Sequence, residues 1–401
     1  MPNDSLSQAK NAKNDEFYTQ YADIQAEINA YLEYDPEVFR GKTILLPCDD
    51  PEWSNFTKFF AQNFEYFGLK KLISTSYAVE SKKIKAWEPT LFETENPHYD
   101  ADKSRTNGKI FILDHDINAN GKIDIEDLQW QYLDGDGDFR SDEVKKLRDE
   151  ADIIVTNPPF SLFREFLAWL LEEKKKFIII GNMNAITYKE VFPHLMNNEI
   201  WLGYKSLNLD MYFDVSDNYK QWLVENKKEG SAYKIIDGVV MGRLASACWF
   251  TNVDHGKRHE PLMLMTMADN IKFSRHKEVR GVQYSRYDNY DALEVPFADA
   301  IPSDYAGTMG VPITFFDKYC PEQFEILGIT KNWFGGAIKI YPPQIQVDKH
   351  GRKSEVTKLN DGAAIETKFV VPGETFYIVN QKNYIQVYAR ILIRKKQGGK
   401  P

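Results

Sequence analysis

Hydrophobic positions in the first half of the chain follow two patterns, a helical spacing and short continuous runs. Ile24, Ile28 and Tyr31 recur on one helix face, which predicts a helix over residues 21–34. Ser54 or Asn55 is a suitable cap for a second, phenylalanine-rich helix. Apolar runs that predict strands occupy residues 42–47, 72–77, 109–113, 151–156 and 176–181.

The run at 151–156, a helical segment at 162–171 and the run at 176–181 form a strand–helix–strand unit with short links. The two strands are apolar in succession, which is typical of strands that are buried on both faces. This pattern predicts an α/β fold around a parallel sheet. After about residue 200 the strands become shorter and alternate with polar stretches, so we expect a division there into residues 13–200 and 201–401. Residues 1–12 show no hydrophobic period and predict a flexible arm.

Composition excludes several classes of protein. The 401 residues include 43% hydrophobic and 27% charged positions, and no apolar run is long enough for a membrane helix. Three distant cysteines argue against a disulfide framework and favour a reducing cytoplasm. The net charge of −9 excludes a strongly basic coat. It leaves nucleic-acid binding open, because phosphate contacts need only a local basic face.

The sharpest chemical signal is Asn157-Pro158-Pro159-Phe160, directly after a buried strand. Ligands of open α/β sheets bind at the carboxyl ends of strands. Two prolines remove two backbone donors, so the corner presents acceptors: the Asn157 side-chain oxygen and the Pro158 carbonyl. Two acceptors that hold an exocyclic amine can localise its lone pair for attack on an electrophilic methyl group, while Phe160 stacks on the ring. The simpler alternative is a rigid turn.

This motif and several further segments of the chain resemble the corresponding segments of adenine-N6 DNA methyltransferases of the EcoRI modification-methylase type. The resemblance spans roughly residues 13–330. It implies a Rossmann-like methyltransferase domain at 13–200, with S-adenosylmethionine as the methyl donor, and a mixed α+β target-recognition region at 201–401. The segments that carry it are 15–20, 48–56, 137–141, 157–164, 181–188, 201–204, 248–252 and 309–315.

The resemblance also implies cofactor contacts. The segment with Phe17, Tyr18 and Thr19 is similar to the motif that closes over the methionine end of the cofactor, where a hydroxyl can bind a carboxylate and a ring can wall the site. A polar helix entry with core aromatics is the alternative for this segment.

Two acidic segments complete the implied cofactor site. Asp49 or Asp50 follows the first strand and can accept from the ammonium group, although the glycine-rich turn common in the family is missing here. Asp138 and Phe139 resemble the pair that binds the cofactor adenine, with a plain acidic turn as the alternative.

Access to the substrate atom implies base flipping. The amino group of a paired adenine lies inside the stack, so an enzyme that acts on it must rotate the nucleotide out. Groove contacts by side chains beyond residue 200 would supply sequence specificity. The Trp201–Tyr204 segment could add a second ring against the base, although a core position is favoured for it. Duplex DNA is the expected partner, together with a cognate restriction endonuclease that acts on the same sequence.

A second motif, at residues 116–127, fits a calcium loop except that an aspartate replaces the final glutamate. A solvated turn is the favoured interpretation, and a structural calcium ion is the alternative. Its oxygen ligands would come from Asp116, Asn118, Asn120, Asp124 and Asp127.

Two other functions stay open. The first is amino-methylation of RNA or of a protein glutamine, which also uses an Asn-Pro-Pro-aromatic corner. The second is a non-catalytic, calcium-dependent binding module around residues 116–127, which would leave the 157–160 corner unexplained.

Overall fold

The computed structural model describes residues 18–48, 54–78, 94, 97–207 and 209–396. The chain forms two compact units. The first comprises residues up to Met183 together with Leu202–Gly256, and the second comprises Asn184–Trp201 with the residues from Lys257 onward. The sequence predicts one division near residue 200, whereas in the structure the chain leaves the first unit, returns to it and leaves again.

The helices are short. They are α1 Tyr21–Tyr34, α2 Asn55–Gln62, α3 Phe64–Phe67, α4 Lys103–Thr106, α5 Asp142–Glu150, α6 Phe163–Glu172, α7 Phe192–Met196, α8 Asp217–Asn226 and α9 Met267–Phe273. Within the described part of the chain, every helix is too short or too polar to cross a lipid bilayer.

The strands between residues 18 and 251 form two sheets. They are β1 Tyr18–Thr19, β2 Thr43–Leu46, β3 Lys71–Thr75, β4 Lys109–Leu113, β5 Gln129–Tyr132, β6 Ile153–Thr156, β7 Lys176–Asn182, β8 Trp201–Leu202, β9 Met211–Asp214, β10 Tyr233–Ile236, β11 Val239–Leu244 and β12 Ala247–Thr251. The order is β5-β4-β3-β2-β6-β7-β12-β8 in the larger sheet and β1-β9-β11-β10 in the smaller one.

The centre of the larger sheet is parallel. β2 pairs in parallel with β3 and with β6, and β6 pairs in parallel with β7. Their carboxyl ends, at Leu46, Thr75, Thr156 and Asn182, therefore meet at one edge, which we call the carboxyl edge. β4 and β12 flank this centre in antiparallel pairs. The expected mixed α/β architecture is confirmed.

Local sequence explains the elements around this centre. The Ser54 side chain accepts a hydrogen bond from the Phe56 amide (3.1 Å) and caps α2, as predicted. Along α1, Ile24, Ile28 and Tyr31 are fully buried, which is the face that the helical spacing predicts. They share a continuous core with the phenylalanines of α2.

The second unit also has two sheets, ordered β13-β14-β21-β15 and β17-β16-β19-β20-β18. Their strands are β13 Leu293–Glu294, β14 Met309–Pro312, β15 Phe324–Ile329, β16 Gln344–Val347, β17 Lys353–Val356, β18 Ala363–Thr367, β19 Phe376–Val379, β20 Lys382–Val387 and β21 Arg390–Lys395. Almost all of their pairs are antiparallel, in agreement with the change of texture that the sequence shows beyond residue 200.

A close approach fixes α6 on β7. A Cβ atom at Gly181 would lie 2.3 Å from Cε2 of the Phe163 ring, so only glycine leaves room for this ring. Phe163 also packs on Phe250 of β12, with ring centroids 5.0 Å apart. The start of the helix that follows the Asn157–Phe160 corner is thereby held against the carboxyl edge.

We expect Gly181→Ala to destabilise the protein by about 1–3 kcal/mol, because the methyl group overpacks the Phe163 contact. Urea unfolding monitored by tryptophan fluorescence measures the change. The control is Gly256→Ala, whose Cβ would meet only Tyr34 Cδ2 at 3.7 Å. It should change stability by no more than about 0.5 kcal/mol. A Gly181→Ala protein as stable as the control would contradict the packing argument.

Candidate active site

The Asn157–Phe160 corner follows the most buried part of the sheet. All four residues of β6 are buried, and the chain leaves the sheet at Asn157, which is half-buried. Pro158 is buried, and the Pro159 carbonyl accepts a hydrogen bond from the Leu162 amide (2.9 Å), which starts a short 3-10 turn. Phe160 is partly buried against the core of the first unit. The structure therefore places the motif where the sequence predicts it, at the carboxyl edge.

The predicted methionine-end motif lies partly outside the described residues, because Phe17 is not among them. Tyr18 and Thr19 form β1, which pairs antiparallel with β9 through Tyr18–Asp214 and Thr19–Phe213. The Asn55 amide donates to the Thr19 carbonyl (2.8 Å) and ties β1 to the start of α2. This link joins β1 to α2, the next described helix after β2.

Thr19 offers a buried hydroxyl. Its residue is 3% exposed, and its Oγ1 atom has no hydrogen-bond partner among the described residues. A buried hydroxyl without a partner costs free energy, so such a group indicates a ligand contact. Tyr18 lines a neighbouring cleft of about 450 Å³, together with Asn55 and Lys58. These features fit a polar ligand group beside β1.

Asp49 and Asp50, the two acids expected to follow the first strand, also lie outside the described residues. The strand before them is described to Leu46, and its end borders the ends of β3 and β6. The roles of both acids stay predictions.

The Asp138 segment crosses the end of β3. A Cβ atom at Gly137 would lie 2.2 Å from the Ser76 carbonyl oxygen, and the Gly137 φ angle is +81°, so both space and backbone require glycine. The Ala78 amide donates to the Asp136 carbonyl (2.7 Å). These contacts bring Asp138 to the carboxyl edge beside Thr75.

Asp138 already binds a cation. The Arg140 guanidinium donates to both of its carboxylate oxygens, at 2.9 and 2.6 Å, and also reaches Glu165 at 3.1 Å. These hydrogen bonds hold the pKa of the Asp138 carboxyl below its ordinary value, so the group is an acceptor at neutral pH. The sequence interpretation missed Arg140, although its position two residues after Asp138 is a usable signal.

Phe139 packs in the core. It is 5% exposed and lies edge-to-face on Phe166 and Trp169, with ring centroids 5.1 and 5.7 Å away. In this arrangement most of its area is used in packing α6 rather than in facing an open site. Its contact with the cofactor adenine stays a prediction.

Side chains of the calcium-like loop bind the loop's own backbone. Asp116 accepts from the Gly121 amide (2.7 Å), and Asp127 accepts from the amides of Ile117 (2.9 Å) and Asp124 (3.1 Å). Asn118 and Asn120 accept from amides two residues ahead. Among the described residues, no group of three or more His, Cys, Asp or Glu side chains could hold a metal ion. The calcium alternative is not supported, and the loop is a turn closed by its own side chains.

Several basic residues beyond 200 form ion pairs with acidic side chains. Lys257 binds Asp317 (2.8 Å), and Arg275 binds Asp299 (2.6 Å). The Arg258 guanidinium lies 3.8 Å from the centre of the Trp201 ring, so Trp201 is a packing residue in the second unit. Tyr204, in contrast, is 44% exposed in the first unit.

Comparison with known proteins identifies the class. A family model described as "Adenine-specific methyltransferase EcoRI" matches residues 5–396. Type II methyltransferase M.EcoRI from Escherichia coli is 40% identical over 329 residues, which are 82% of this chain and 90% of that protein. Type II methyltransferase M.MpnI from Mycoplasma pneumoniae is 33% identical over 331 residues, which are 82% of this chain and 86% of that protein.

A third relative, a type II methyltransferase of Mycoplasma genitalium, is 32% identical over 392 residues, or 98% of this chain and 99% of that protein. No solved structure gives a significant match. The chain belongs to the EcoRI family of adenine-specific methyltransferases. The resemblance that the sequence motifs indicate is thereby confirmed, as is the enzyme class.

We expect Thr19→Val to weaken S-adenosylmethionine binding about tenfold, the effect of one lost hydrogen bond to a charged group. The cofactor-free protein should be as stable as the original or slightly more stable, because the substitution removes a buried hydroxyl without a partner. Calorimetric titration and a thermal melt without cofactor measure the two effects. Unchanged affinity would contradict the assignment of Thr19 to the cofactor site.

Proposed function

We propose that this protein methylates the N6 atom of adenine within a specific sequence of duplex DNA, at the Asn157–Phe160 corner. The observation that carries the proposal is the position of this corner, at the carboxyl end of β6 and beside the ends of β2 and β7. Membership of a family of adenine-specific methyltransferases supports adenine as the target base. The relatives' names, type II methyltransferases, support DNA as the substrate and a paired restriction endonuclease as a partner.

The parallel strands and their helices would form a Rossmann-like cofactor-binding domain. Thr19 would bind the methionine carboxylate through its buried hydroxyl, and Asp49 or Asp50 would accept from the ammonium group. Asp138 would accept a hydrogen bond from the amino group of the cofactor's adenine, while Arg140 holds the Asp138 carboxylate in place. When bound, S-adenosylmethionine supplies an electrophilic methyl group.

The corner itself would hold the flipped base. The Asn157 side-chain oxygen and the Pro158 carbonyl would accept from the two N–H groups of the adenine amine. This geometry turns the nitrogen lone pair towards the methyl group, while Phe160 stacks on the purine and fixes its plane. Stacking also offsets part of the few kcal/mol that unpairing the base costs. No covalent enzyme intermediate is needed, and water can accept the amine proton after transfer.

Recognition of the DNA sequence would fall to residues in 201–401. Side chains that enter the major groove discriminate all four base pairs, and phosphate contacts position the duplex without reading it. The small mixed sheets of the second unit, beyond Lys257, would carry these contacts. We also propose a cytoplasmic location, which the three distant cysteines favour.

We expect Asn157→Ala to lower kcat for DNA methylation by roughly 100-fold or more, because one of the two acceptors for the reacting amine is lost. Transfer of labelled methyl groups from S-adenosylmethionine to duplex DNA measures the rate. The matched control is Asn226→Ala at the exposed end of α8, which should leave the rate unchanged.

The same assay separates the alternatives. Single-stranded RNA and a protein substrate, offered in parallel, should receive no label above background. The protein can also be expressed in a host that lacks DNA methylation. Sequencing the genome of that host should show N6-methyladenine within one recognition sequence. Wild-type transfer to RNA or protein alone, or unchanged methylation by the Asn157→Ala enzyme, would contradict the proposal.

A further inference from the structure

A carboxylate lies in the core of the first unit. Glu27 on α1 is fully buried, on the same face as Ile24, Ile28 and Tyr31. Burying an ionised carboxylate is costly unless its oxygens are paired, and an apolar residue of similar size is often equally stabilising. The position of Glu27 therefore calls for a role beyond packing.

Glu27 binds the backbone of a distant turn. Its Oε1 atom accepts from the Tyr204 amide (2.8 Å) and its Oε2 atom accepts from the Lys205 amide (2.9 Å). The Tyr31 hydroxyl donates to Oε1 as well (2.8 Å). One turn earlier on α1, Asp23 forms an ion pair with the Lys205 side chain. Two acids on one helix face thus hold the turn at residues 203–205.

The turn is built for this close approach. A Cβ atom at Gly203 would lie 2.1 Å from Glu27 Oε1 and 2.5 Å from Trp249 Cβ. Glycine at this position lets the carboxylate approach the two amides directly. Burial raises the pKa of the Tyr31 hydroxyl well above its ordinary value, and the charge of Glu27 raises it further. Tyr31 therefore remains a donor to the carboxylate.

Strand pairing gives the direction in which the turn points. β12 runs antiparallel to β7, from Ala247 opposite Asn182 to Thr251 opposite Ile178. Ala247 therefore lies at the carboxyl edge, and Thr251 lies towards the opposite, amino edge.

The chain before the turn follows β12 in reverse. The Leu202 carbonyl accepts from the ring of His255, which lies beyond the amino-edge end of β12 (3.0 Å). The Gly203 amide donates to the carbonyl of Trp249, in the middle of β12 (2.9 Å). From Leu202 to Gly203 the chain thus advances towards the carboxyl edge, and Tyr204 follows in the same direction.

We propose that Glu27 is a positioning residue that fixes the Gly203–Lys205 turn, and with it the exposed ring of Tyr204, at the carboxyl edge for contact with the target base. The inference rests on the proposed DNA adenine methylation. Tyr204 is 44% exposed, and it follows backbone that Glu27 clamps at two successive amides. A ring held by rigid backbone can stack on a base at a low cost in conformational entropy.

α1 connects this turn to the cofactor motif. The helix begins two residues after Thr19, and Asp23 and Glu27 occupy its first two turns. The same rigid element therefore carries the predicted cofactor contact at its start and the clamp on the Tyr204 turn along its side. Displacing Glu27 should therefore disturb the contact with the target base, and it should do so only through the turn.

The test uses Glu27→Gln and Tyr204→Ala in the full-length protein. Glutamine presents an N–H₂ group to one of the two backbone amides, so one hydrogen bond is lost and the turn is released. We expect each variant to lower kcat about tenfold. Each should also reduce the fluorescence rise of 2-aminopurine placed at the target position of the recognised duplex. The double variant should be no slower than the slower single variant.

Two conservative variants serve as controls. Ile28→Val removes one methyl group from a fully buried residue next to Glu27 that does not bind the turn, and it should keep the wild-type fluorescence and rate. Tyr204→Phe keeps the ring and should restore most of the activity that Tyr204→Ala loses. Because the Tyr204 side chain is exposed, its variants stay informative even when Glu27→Gln does not fold.

Three outcomes would overturn the inference. If Tyr204→Ala keeps the wild-type fluorescence and rate, Tyr204 does not contact the target base. If the effects of Glu27→Gln and Tyr204→Ala multiply in the double variant, the two residues act independently and Glu27 does not act through Tyr204. Equal losses in Ile28→Val and Glu27→Gln would show that Glu27 contributes only to general stability. A wild-type protein that transfers no methyl group to DNA would instead defeat the proposed function itself.

Discussion

Two consecutive prolines at the end of a buried parallel strand determine what the candidate site can bind. Pro158 and Pro159 have no backbone N–H, so the chain leaving β6 has backbone acceptors but no backbone donors at these two positions. A corner of this kind suits a ligand that brings donors, such as an aromatic amine. The contact between Phe163 and Gly181 holds the next helix against β7 and thereby keeps the corner in place.

The parallel centre of the sheet brings distant segments to this corner. The ends of β2, β3, β6 and β7 meet at one edge, and Gly137 carries the Asp138 segment across the end of β3. α1 adds a second layer of organisation, because Glu27 reaches the turn that carries Tyr204. The proposed cofactor contacts, the proposed base contact and the candidate corner are thus connected through rigid elements rather than long loops, which suits a reaction that depends on orientation.

The sequence predicts the local elements well and the long-range pairing poorly. The helix at 21–34 and the strands β6 and β7 follow from hydrophobic spacing, which depends only on neighbours along the chain. Pairing of Tyr18 with Asp214, and the return of residues 202–256 to the first unit, depend on contacts between segments far apart in sequence. Arg140, in contrast, lies only two residues from its partner Asp138, so this ion pair had a local signal that the sequence interpretation missed. Glu27 had a visible signal, a charged residue among the apolar positions of α1, but its partners could not be read from the sequence.

The central claim is that the target adenine and the cofactor meet at the Asn157–Phe160 corner. A crystal structure of the protein with sinefungin and a duplex that contains the recognised word tests this claim most directly. We expect the target adenine to be rotated out of the helix, with its N6 atom within hydrogen-bonding distance of the Asn157 side-chain oxygen and the Pro158 carbonyl oxygen. An inhibitor bound far from residues 157–160, or an adenine bound at another edge of the sheet, would contradict the account.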